Sequence, residues 1–144
     1  MYTGLLHLHN VLRWVILILL LVAIFQAFTK SNGIKKSSLW LLIAAHTTLL
    51  IGFYQWFSGS LGLKMIQDSG FSAVMKDSAA RFWAVEHFAG MLIAIMLITV
   101  ARGKAKALNY KPAFWFYFIA LMLILVTIPW PFREGIARPW FPGM

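Results

Sequence analysis

The sequence predicts an all-α integral membrane protein, an antiparallel four-helix bundle with both termini on the outer side. Three observations carry that expectation: the composition, four long apolar stretches and the placement of lysine and arginine. Hydrophobic residues make up 61% of the chain and aromatics 16%, only 12% of residues are charged, and the mean hydropathy is +0.78. Soluble domains carry roughly a quarter charged residues. The apolar stretches cover about 5–28, 38–57, 80–100 and 112–130. Each reaches the ~20 residues that a helix needs to cross a ~30 Å hydrocarbon core. In lipid every backbone group needs an internal partner, so segments this long read as helices; barrel strands are shorter and alternate.

The first span lacks a basic start and reaches Lys30 without a small-x-small cleavage site, so it reads as a retained helix and not a signal peptide. It carries His9 and Arg13, four apart and on one face. His7 lies about 200° around the helix from His9 and shares a face with Thr3, Asn10 and Trp14. The second span holds His46, flanked by Ala44, Ala45, Thr47 and Thr48. Between it and the third span, 60–79 has the length for a short surface helix around 71–76, lying over the bundle mouth.

The third span places Ala80, Ala84, His87, Met91 and Ala94 on one stripe, with Gly90 beside it and Glu86 next to the histidine. Such small residues let membrane helices approach closely, and they also leave room for a flat cofactor. The fourth span ends at Pro129 and Pro131, and the proline- and aromatic-rich tail after it reads as an interfacial cap. Residues 1–144 thus form one four-span domain, with no phosphate-binding glycine loop and no soluble module.

Orientation follows from the basic residues. Lys30, Lys35 and Lys36 follow the first span, and Arg102, Lys104, Lys106 and Lys111 follow the third, with no acidic residue among them. The other side has Lys64, Lys76, Arg81, Arg133 and Arg138, mixed with Asp68, Asp77 and Glu134. The excess puts the first set inside and both termini outside. The net charge of +9 is then a topology signal and an attraction to anionic lipid, not a nucleic-acid footprint. With no cysteine, disulfides, thiolate metal sites, covalent haem attachment and iron–sulfur clusters are excluded.

Depth sorts the titratable groups. At 1.5 Å per residue, His9 lies roughly 6 Å and Arg13 roughly 12 Å below the outer boundary, and Glu86 and His87 roughly 9 to 11 Å below it. His46 comes out at roughly 16 Å, close to the midplane. Intramembrane ionisable groups mark functional sites by default. A b-type haem needs one or two neutral imidazoles from facing helices, an apolar pocket, and cations near its propionates. His87 is the first candidate axial ligand and His46 the second. His9 is the alternative, because spans one and three are diagonal in an up-down bundle. One haem is expected, since His7 and His9 face apart. Arg13 needs an anion: Glu86 in an interspan ion pair, a haem propionate, or the oxygen of a reducible quinone.

The segments HLHNVLRW (7–14), AAHTT (44–48), ARFWAVEH (80–87) and IPWPFREG (128–135) resemble a family of short bacterial four-span membrane proteins loosely labelled cytochrome b, similar to b561-type four-helix haem proteins. The likeness covers nearly the whole chain. It implies a haem-binding bundle that transfers electrons as the membrane subunit of a larger redox complex, with other membrane redox subunits or further copies of itself as partners. Two other classes fit the same residues: a haem-free metal- or proton-handling membrane protein, and a structural or assembly subunit.

Overall fold

The computed structural model describes residues 1–143, and every regular element among them is helical. The order is α1 (Tyr2–Phe28), α2 (Ile34–Ser58), three short helices α3 (Leu63–Ser69), α4 (Phe71–Lys76) and α5 (Ser78–Arg81), then α6 (His87–Lys106) and α7 (Tyr110–Thr127). A single π-helical turn, Phe82–Glu86, joins α5 to α6 without a break. Four helical stretches are long and apolar enough to cross a membrane: Tyr2–Phe28, Ile34–Ser69, Ser78–Lys106 and Tyr110–Thr127.

The four long helices pack in a ring, α1 on α2, α2 on α6, α6 on α7 and α7 back on α1. Residues spaced four and three apart form each inward stripe: Ile34, Ser38, Leu41 and Ala45 on α2, Ala94, Ile98, Ala101 and Ala105 on α6, and Ala113, Tyr117, Ala120 and Ile124 on α7. Alanine dominates because, between membrane helices, close van der Waals approach does the work that water exclusion does elsewhere. The outward faces are apolar as well, with Ile18, Leu21, Leu50, Ile93 and Val126 exposed. A soluble surface would not carry so much exposed apolar area.

Polar contacts cluster at the two ends of the ring. At the basic end Arg102 donates to the Lys35 carbonyl (3.0 Å) and to Ser38 Oγ (2.8 Å), and the Tyr110 hydroxyl donates to Asn32 (3.1 Å). The two tight connections there turn on non-glycine residues with positive φ, Lys30 at 56° and Leu108 at 57°. That conformation costs an L-residue roughly 1–2 kcal/mol. The opposite end gathers the start of α1, the end of α2, the π turn, the end of α7 and the tail, and it is there that His7, His9 and His87 lie.

Candidate functional site

α7 stops at Thr127 because Pro129 and Pro131 follow it. In a continuing helix the Thr127 carbonyl would accept from the N–H of residue 131, but proline has none. His87 fills the gap: its Nδ1 donates to the Thr127 carbonyl at 2.8 Å. A carbonyl can only accept, so the proton is on Nδ1, and in the neutral ring Nε2 keeps its lone pair. Metal-binding histidines are oriented in this way, with one ring nitrogen held so that the other is aimed.

The π turn sets where that ring stands. The His87 backbone N–H reaches back five residues to the Phe82 carbonyl. Within this turn the Ala84 carbonyl accepts from the Trp56 indole at 2.9 Å, which ties α2 to it. π turns inside longer helices are frequently found at functional sites. Phe82 and Trp83 flank the imidazole, with ring centroids 5.7 Å and 5.9 Å from it. Below it, Gly90 packs so tightly on Thr127 that a Cβ would collide with the threonine methyl.

Across the ring, from the diagonal helix α1, His9 faces His87 with centroids 6.4 Å apart and planes at 63°. Gly52 of α2 lies beside His9: a Cβ there would sit in ordinary van der Waals contact, 3.6 Å from its Cε1. His9 Nδ1 is buried and has no hydrogen-bond partner among the described residues. Buried polar nitrogens are nearly always paired, so an orphan of this kind points to a missing ligand or water.

The other expected residues stand apart from this pair. His46 is exposed on the outside of the ring, because α2 turns Leu41, Ala44 and Ala45 inward and the next position lies about 100° further round. Its Nδ1 donates back to the Leu42 carbonyl (3.0 Å), and the hydroxyls of Thr47 and Thr48 do the same to Ile43 and Ala44 (both 2.8 Å). This polar run is satisfied by its own helix. Of the histidines expected to pair with His87, the structure brings His9 beside it and leaves His46 apart.

Arg13 and Glu86 do not meet either. Glu86 is exposed and bonds Arg81 at 2.6 Å. Five residues apart would be about 140° in an α-helix, and the π turn between them brings them together. Arg13 instead holds the tail, donating to the carbonyls of Pro139 (3.3 Å) and Trp140 (2.7 Å) and to Asn10 (2.8 Å). Trp14 adds a bond to the same Trp140 carbonyl at 2.8 Å, and its indole stacks on Trp140. His7, one turn above Val11, is exposed.

The folded-back tail brings two cations over the site's aromatic wall. The Arg133 guanidinium lies 4.8 Å above Phe82, and that of Arg138 lies 4.8 Å above Trp83. Beside Trp83 a cavity of about 560 Å³ opens at the mouth, with Leu61, Met65, Val74 and Gly135 in its walls. Sequence reasoning missed Thr127, Gly52 and the aromatic wall. One signal was present, since Pro131 stands where the partner of the Thr127 carbonyl should be.

No family model matches the chain, and no solved structure matches it. Two proteins from two strains of Staphylococcus epidermidis, each described as a UPF0344 protein, are similar to it at 25% identity over 142 residues, covering 95% of this chain and 93% of theirs.

Proposed function

We propose that this chain is a membrane-embedded b-type haem protein in which His87 and His9 are the axial ligands of one haem, and that it moves electrons as the membrane subunit of a larger redox complex. The observation that carries the reading is the pair itself. Two imidazoles from diagonal helices face each other inside the ring, and one has its Nδ1 fixed on a carbonyl and its Nε2 left free.

The donor type supports it: two imidazoles from facing helices are the groups that would hold a b-type haem.

When bound, haem b supplies a one-electron couple. The chain's own residues do the rest. Thr127 orients His87, Gly52 and Gly90 keep the helices close without filling the interior, and Phe82 and Trp83 exclude water. Arg133 and Arg138 offer positive charge for propionate carboxylates at the mouth. The cavity beside Trp83 suits the head of a quinone as an electron partner. In this reading the bundle is antiparallel, with both termini outside a bacterial cytoplasmic membrane.

Purified full-length protein from haem-replete cells tests the proposal. A Soret band that shifts on dithionite reduction, with one haem per chain by pyridine haemochromogen, is expected. A colourless preparation with intact helical circular dichroism would reject it.

A further inference from the structure

At the basic end, remote from the histidine pair, the end of α1 and the start of α7 leave a cleft of about 300 Å³ lined by Ala27, Phe28, Lys30, Tyr110, Lys111 and Phe114. Its wall is aromatic. Phe28 and Phe114 lie 6.3 Å apart, and Phe114 stacks on Phe118 at 6.1 Å, leading from the cleft onto the exposed apolar side of α7. Its rim is cationic. Lys30 and Lys111 are both exposed, and neither meets a carboxylate among the described residues. The side-chain carboxylates of the chain, Asp68, Asp77, Glu86 and Glu134, belong to segments at the other end.

Neither lysine sits where local structure favours it. Lys30 holds the left-handed conformation, φ 56°, that glycine adopts most easily. Lys111 stands in the first turn of α7, where the helix dipole disfavours a cation. A bound anion would offset both placements.

We propose that this cleft binds an anionic phospholipid, with the phosphate between the Lys30 and Lys111 ammonium groups and an acyl chain along Phe28, Phe114 and Phe118. Basic pockets between membrane helices recognise anionic headgroups in this way. The aromatic wall selects a lipid over a free phosphate, because it is continuous with surface that meets acyl chains. The site is independent of the histidine pair.

The full-length protein is reconstituted in nanodiscs of phosphatidylcholine with a minor share of phosphatidylglycerol, extracted into mild detergent, and its retained lipid counted by native mass spectrometry. Wild type is expected to retain phosphatidylglycerol in preference to phosphatidylcholine. The Lys30→Gly/Lys111→Gln double variant should lose that retention by roughly tenfold or more. Glycine suits the backbone at position 30, so this variant keeps its fold, which a thermal melt verifies. Lys104→Gln/Lys106→Gln removes the same charge from the same end and should retain the lipid. The proposal is overturned if the wild type shows no preference, if the first variant retains as much lipid as wild type, or if both variants lose it equally.

Discussion

His87 donates its Nδ1–H to the Thr127 carbonyl, 2.8 Å away across the α6–α7 interface. The acceptor is free because α7 ends there and Pro131 supplies no N–H. One bond thus ties a helix terminus to the tautomer of a half-buried imidazole.

Pro129→Ala/Pro131→Ala tests that bond. Removing both prolines lets Ile128 turn helical and restores an N–H four residues after Thr127, so that α7 can extend and its carbonyl align with the helix axis. The expected result is a haem that leaves the protein more easily, at the low end of the roughly 10–100-fold loss in affinity that follows removal of a partner of a ligating histidine. Transfer of haem to apomyoglobin measures it.

Gly90→Ala and Gly103→Ala lie on the same helix and should act in opposite directions. A Cβ at Gly90 collides with the Thr127 methyl, whereas one at Gly103 meets nothing within 4 Å. Overpacking at position 90 is expected to cost about 1–3 kcal/mol. At position 103, alanine is expected to gain roughly 0.5–1 kcal/mol of helix stability. Denaturant titration in detergent, followed by circular dichroism, measures both.

How much of this was legible beforehand depends on where polarity contrasts exist. The four long helices were visible because length and apolar composition are unambiguous, and Pro129 and Pro131 marked the end of α7. Facing was not visible. The lipid side and the core side of α2 are both apolar, so nothing in the sequence says that Ala45 turns inward and His46 outward. The π turn was also invisible. It adds a residue to one turn, pairs Arg81 with Glu86, and leaves Arg13 to the tail. The reach of Arg13 to Pro139 and Trp140, some 126 and 127 residues away in sequence, follows from tertiary folding alone.

Arg13→Gln tests the clamp on the tail. Hydrogen bonds to charged groups are worth about 1.5–3 kcal/mol, so losing them should raise the open population of the tail by roughly 10- to 100-fold. Chymotrypsin cleavage after Trp140 in detergent micelles, followed by mass spectrometry, should accelerate by a similar factor, while α1 and α7 stay intact.

The central claim is the identity of the haem ligands, and low-temperature electron paramagnetic resonance of the oxidised protein tests it most directly. Wild type and His46→Ala are expected to give the same low-spin signal of iron with two imidazoles. His9→Ala should convert it to a high-spin signal, and His87→Ala should lose the haem or show the same conversion. A spectrum that changes in His46→Ala and stays unchanged in His9→Ala would contradict the account.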